Sequence, residues 1–163
     1  MSYIAFLRGI NLGKKNKVDM KSLKALFEEM GFQNVQTYIQ TGNVIFDNIV
    51  CDESQMELKL KDTYGFNIPV TIRSKAELEK VQQHPILSKE NVFIMFLKKK
   101  ISKEQMEHLK AIIDEEFDVI EEKTIIINLT NQTKYNNTFF EKQLKMPSTL
   151  RKSTTVHHIL LRM

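Results

Sequence analysis

The sequence predicts an α+β protein built from two tandem ferredoxin-like (βαββα) subdomains with antiparallel sheets. Three observations carry that prediction. The apolar pattern switches between strand and helix periods in the order β-α-β-β-α twice over. Glycines and prolines fall at the joints of that order. Several strands are apolar on both alternating faces, the mark of a sheet covered on two sides. At 163 residues the chain has room for one ordinary domain or for two small subdomains sharing a core.

Residues 3–7 form the first strand, apolar throughout. Asp19 is placed to cap a helix in which Met20, Leu23, Leu26, Phe27 and Met30 recur at helical spacing. Gly31 stops that helix as a residue free to take positive φ. Residues 35–39 and 43–47 read as strands, with Gln40, Thr41 and Gly42 as the turn between them. A second helix starts near Asp52, buries Met56, Leu60 and Tyr64, and closes at Gly65. Residues 69–73 are a fourth strand, and 74–83 a short connecting helix capped by Ser74 and ended before Pro85.

The order then begins again. Residues 91–97 are a strand, and 102–114 a helix with Met106, Leu109, Ile112 and Ile113 on one face. Strands follow at 117–120 and 124–129, then a helix carrying Tyr135, Phe139, Phe140 and Leu144. A strict repeat would make residues 153–161 a strand. Ser153 as a cap and the unbroken apolar run after Val156 favour a helix, which is the expectation here. The subdomains are expected at 1–84 and 85–163. Their doubly apolar strands require a cover for the second face of each sheet, from the other half or from a partner subunit.

Charge is unevenly spread. The formal net charge is +4. Arg8, Lys14, Lys15 and Lys17 stand in a Gly- and Asn-rich loop with no acid among them, between the first strand and the first helix. Asp114, Glu115, Glu116, Asp118, Glu121 and Glu122 form an acidic stretch. Beyond Thr130 come Lys134, Lys142, Lys145, Arg151, Lys152 and Arg162 against Glu141. Such a distribution speaks to anionic partners more than the total charge does. The single cysteine, Cys51, excludes an internal disulfide framework; a place just before a helix start favours a lowered thiol pKa, but with no Cys-x-x-Cys context it is read as a half-buried, inert thiol. No apolar run has the length of a membrane helix and the first residues lack the pattern of a signal peptide; the low cysteine usage gives a reducing, cytoplasmic setting as the expectation.

Two stretches, LRGINLGKKNKVDM at 7–20 and TYIQTGNVIF at 37–46, resemble the bacterial family called domain of unknown function 1697. The helix around 134–144, with Asn137, Phe140, Glu141 and Lys142 and then Pro147, is similar to that family's C-terminal pattern. The departure lies at 149–156, TLRKSTTV, where the family usually has a run containing tryptophan and this chain has none. The resemblance implies two ferredoxin-like subdomains and no known activity.

The residues themselves set out candidate chemistry. The 9–17 loop is not a Walker motif, because three residues rather than four separate Gly9 from Gly13 and Lys14 is followed by Lys15. It reads either as a crossover with solubilising lysines or as an anion site. Tyr38, Gln40 and Asn43 flank the hairpin turn, where amides could read a polar edge and a tyrosine could stack. The strand 43–46 lacks the glycine and alternating aromatics of an RNA-recognition platform. His84, His108, His157 and His158 lack metal-ligand spacing and read as surface residues. No metal and no cofactor is expected.

Three functions of different class follow. One is a binding module for a small anionic ligand or a nucleic-acid backbone, using Arg8, Asn11, Lys14, Asn16, Lys17, Tyr38, Gln40, Asn43, Lys134 and Arg151. Another is a small enzyme on a phosphorylated or carboxylated ligand, using Arg8, Lys14 and Lys17 with Glu141 or Tyr38. The third is a structural or regulatory homodimer joined through its sheet faces. The first is placed ahead.

Overall fold

A computed structural model describes residues 1–47 and 52–163; Cys51 lies outside them. The first round of the chain runs β1 (Ser2–Leu7), α1 (Met20–Glu29), β2 (Gln33–Thr37), β3 (Asn43–Asp47), α2 (Glu53–Tyr64), β4 (Val70–Ser74) and α3 (Lys75–Gln82). After a 3-10 turn at Pro85–Ser88 the second round gives β5 (Val92–Leu97), α4 (Lys103–Ile112), β6 (Phe117–Ile120), β7 (Thr124–Asn128), α5 (Asn137–Leu144), β8 (Ser148–Lys152) and α6 (Ser153–Arg162). Each round folds one four-stranded antiparallel sheet, in the orders β2-β3-β1-β4 and β6-β7-β5-β8. Strand for strand these orders are the same, so the α+β duplication read from the sequence is the observed architecture.

One compact unit comprises Met1–Leu78 with His158–Met163, the other Glu79–His157. The divisions fall inside α3 and α6. The repeat is also stricter than expected, because each round ends strand-then-helix. The helix expected at 153–161 is α6, but β8 before it was not foreseen. Its residues are STLRK, with Leu150 the one large apolar side chain, and the buried Ser148 and Thr149 are polar. A strand whose inward residues are polar gives no alternation signal.

The helices begin and end where short-range chemistry dictates. Asp19 accepts from the Ser22 N–H at 3.0 Å, and Asp52 accepts from the Ser54 N–H at 2.9 Å. Ser102 and Gln105 form a capping box on α4. Gly65 closes α2 in the left-handed region. One face of the first sheet packs Ala5, Leu7, Val44, Phe46 and Val70 against Leu23, Phe27, Met56 and Leu60. The second packs Met95, Leu97, Ile125 and Ile127 with Leu109, Tyr135, Phe140 and Leu144.

The opposite faces are buried too: Ile4, Phe6 and Ile45 in one sheet, Ile94, Phe96 and Ile126 in the other.

Strands β4 and β8 are sheet edges, and each is closed by the helix before it. The Val70 N–H donates to Glu57 Oε2 and the Ile72 N–H to Glu53 Oε2, both at 2.7 Å. In the second round the Leu150 N–H donates to Asn137 Oδ1 at 3.2 Å. Glu53 and Asn137 each open their helix, and Ile72 and Leu150 occupy the same register position, opposite Ala5 and Met95. Side chains thus take the place of a further strand.

Candidate functional site

The basic loop between β1 and α1 is a small hairpin of its own. Leu12 and Lys15 exchange both backbone hydrogen bonds at 3.0 Å, and the Asn11 N–H donates to Asn16 O at 2.9 Å. Gly13 has φ +60 and Lys14 lies outside the positive-φ region, the pattern of a type II′ turn. Asn11 (φ 51) and Asn16 (φ 55) take the left-handed conformation on either side, which asparagine tolerates. Lys14, Lys15 and Lys17 are carried exposed on this frame.

The asparagines expected to read a ligand are occupied in holding the loop. Asn11 Nδ2 donates to Gln40 O at 2.8 Å and to Val18 O at 3.1 Å, while Asn11 Oδ1 accepts from the Val18 N–H at 2.9 Å. Asn16 Nδ2 donates to Gly9 O at 3.0 Å. Asn43 is buried, its Nδ2 donating to Tyr38 O at 2.9 Å and to Thr41 Oγ1 at 3.0 Å. Amides engaged in this way act as structural ties.

Tyr38 does not lie on the strand, which was expected to run to Ile39. β2 ends at Thr37, and Ile39 turns the chain at φ +50, so both residues belong to the connecting loop. The Tyr38 ring is covered. The Arg162 guanidinium lies over it at 4.5 Å and the His158 ring stands 6.3 Å away. A sequence could point to Tyr38, but no local signal links it to residues so far along the chain.

The structure therefore brings Asn11, Lys17 and Gln40 around one open hollow of about 480 Å³, completed by Val18, Asp19, Met20 and Lys21. Asp19 was missed as a member. Its carboxylate accepts from the Ser22 N–H in the first turn of α1, where the helix dipole would otherwise favour a bound anion. Arg8 is half-buried below the loop, its N–H on Pro69 O at 2.9 Å.

Lys134 and Arg151 belong to the second unit. Arg151 Nη1 donates to Leu150 O at 3.2 Å, and Arg73, at the same register position of the first sheet, bonds Ile72 O in the same way at 3.1 Å. Lys134 stands 5.0 Å over the Tyr135 ring and 3.9 Å from Asp114. The buried Tyr135 hydroxyl donates to Asp114 Oδ1 and accepts from the Asp114 N–H at 3.2 Å. That hydroxyl, and then the Lys134 charge, hold the Asp114 carboxyl below its ordinary range, while Tyr135 and Asp114 raise the Lys134 ammonium. This cluster ties the end of α4 to the approach to α5.

A folded-state carboxyl pKa below the unfolded one stabilises the fold above the unfolded value, and that contribution is lost as pH falls through the folded value. Tyr135→Phe is therefore expected to lower stability at neutral pH through loss of the hydroxyl's bonds to Asp114. The gap from wild type should narrow below pH 4, as read by urea unfolding along a pH series. A gap independent of pH would rule out the carboxylate as the hydroxyl's partner.

Of the histidines, His84 is not simply a surface residue. Its Nδ1 accepts from the Ile86 N–H at 3.1 Å, which leaves Nε2–H to donate to Asp118 at 2.7 Å. Among the described residues no group of three or more His, Cys, Asp or Glu is arranged to hold a metal ion. No described helix is long and apolar enough to cross a membrane.

Fold and site together define a class: a duplicated ferredoxin-like α+β protein that presents a lysine hairpin from its first crossover loop. The chain belongs to the family described as "Protein of unknown function (DUF1697)", which matches residues 1–124. The first two sequence motifs fall inside that match and the 134–144 helix outside it. A solved relative, "conserved bacterial protein SP0830 from Streptococcus pneumoniae", has 22% identity and a TM-score of 0.71, over 99% of this chain and 97% of that one. At that identity the likeness shows the fold alone. No curated protein matches the chain.

Proposed function

We propose that this chain is a cytoplasmic binding protein for the phosphate backbone of nucleic acid, held electrostatically at the β1–α1 hairpin. The observation behind the reading is that Lys14, Lys15 and Lys17 stand exposed on a loop whose own polar groups are bonded internally. The backbone that carries the three cations is already ordered, so binding an anion costs side-chain freedom alone. The amides are already engaged and Asp19 occupies the helix N-terminus, so the loop offers charge without an enclosing set of donors. That favours repeated phosphates on a surface over one small phosphate compound in a pocket.

The second unit provides a contrast. Its equivalent loop carries Lys98, Lys99 and Lys100, but the Ile101 N–H bonds Glu122 O at 2.7 Å in a turn formed by Glu121 and Glu122. In the first unit the matching turn, residues 38–42, carries no charge. The first-unit turn thus lacks the acidic residues that the second-unit turn carries.

Anisotropy titrations of a short duplex across a salt series test the reading. Each phosphate contact contributes about 0.9 to the slope of log K against log salt, so Lys14→Ala/Lys15→Ala/Lys17→Ala should flatten it by roughly 2–3. An unchanged slope and affinity in the triple variant would refute it.

A further inference from the structure

The hairpin that bears the lysines also bears apolar side chains that face water. Leu12 is 52% exposed and Ile39, in the neighbouring β2–β3 loop, 48%. Ile39 is a β-branched residue at φ +50, a conformation that such residues avoid. The Asn11 amide bonds Gln40 O, so Leu12 and Ile39, each next in sequence to one end of that bond, are carried on a single braced frame. Leu7 N–H, bonded to Gly42 O at 2.8 Å, anchors the same two loops at their base.

Resting on the backbone-binding reading above, we propose that Leu12 and Ile39 form an apolar wedge that enters the base stack of a duplex whose phosphates are held by Lys14, Lys15 and Lys17. Phosphates alone give aliphatic side chains nothing to bury against. A base step that opens does, and leucine and isoleucine serve as such wedges where proteins kink a duplex. The engaged Asn11, Asn16 and Asn43 amides are taken up by internal bonds rather than by base edges, and the Tyr38 ring is covered by Arg162. The partner this surface fits is therefore a duplex chosen for ease of unstacking, without sequence readout.

The test uses the full chain and two duplexes of equal length and charge, one fully paired and one with a central mismatch. A mismatched step is already partly unstacked, so wild type should bind it about tenfold more tightly. Leu12→Ala/Ile39→Gly should lose that preference and keep the salt slope. Both positions are exposed, and glycine suits the backbone at 39, so an unchanged or raised melting temperature confirms that the variant folds.

Equal mismatch preference in wild type and variant would overturn the wedge and leave the lysine reading intact. Binding to neither duplex would overturn both. Binding to vesicles containing anionic lipid but to neither duplex, lost in the same variant, would assign the tip to a bilayer surface and overturn the wedge as well.

Discussion

Replacing Glu53 and Glu57 together by alanine should lower the unfolding free energy by about 3 kcal/mol, on the basis of roughly 1.5–3 kcal/mol for a hydrogen bond to a charged group and some recovery through water. The two carboxylates are one helical turn apart on α2 and reach amides two residues apart on β4, at 2.7 Å each. They occupy sites that a neighbouring strand would otherwise fill. Without them the N–H groups of Val70 and Ile72 become a template for pairing with another chain. Two readouts follow: denaturant unfolding for the loss of stability, and light scattering for concentration-dependent self-association. Glu53→Gln/Glu57→Gln keeps neutral acceptors at the same positions and should recover much of the loss. A double alanine variant as stable and as monodisperse as wild type would show that the bonds are incidental.

The Gly42 position should respond as strongly. Gly42 has φ +99, and a Cβ built there would lie 2.8 Å from Leu7 Cβ and 3.0 Å from Ile10 Cδ1. Leu7 Cβ is fixed by the central strand and cannot swing aside, so the backbone of the turn has to move. The left-handed conformation costs a residue with a Cβ about 1–2 kcal/mol and overpacking a further 1–3 kcal/mol, so Gly42→Ala is expected to lose roughly 3 kcal/mol. Gly13→Ala is the matched comparison, because Gly13 also has positive φ (+60) but open space around it. It should lose only about 1 kcal/mol. Thermal unfolding of both variants would separate steric from conformational cost, and equal losses would rule out the clash. Because the Leu7 N–H is bonded to Gly42 O, the same variant should also loosen the lysine hairpin.

Much of the fold was legible because its determinants are local. Asp19, Asp52 and Ser102 cap their helices by accepting from amides two or three residues ahead, and Gly65 ends α2 through its own φ. Period and punctuation therefore suffice to order these elements. β8 was illegible because what buries Ser148 and Thr149 is pairing with β5, a contact some fifty residues distant in sequence. The site divided along the same line. The lysines were visible as composition, and their exposure follows from charge. The roles of Asn11, Asn16 and Asn43 were not visible, since an asparagine that could read a ligand and one that ties two loops look alike in sequence.

By itself, then, the sequence determined the alternation of elements, the duplication, the doubly buried strands and the basic first crossover, all consequences of side-chain chemistry and near-neighbour geometry. Only the tertiary structure decided which polar groups remain open to a partner. It spent the loop amides on internal bonds, laid Arg162 over Tyr38, placed Asp19 at the dipole of α1 and turned Leu12 and Ile39 outward. Each of these outcomes depends on groups brought together by the closing of the sheet, where a hydrogen bond or a ring contact forms between residues that share no local pattern.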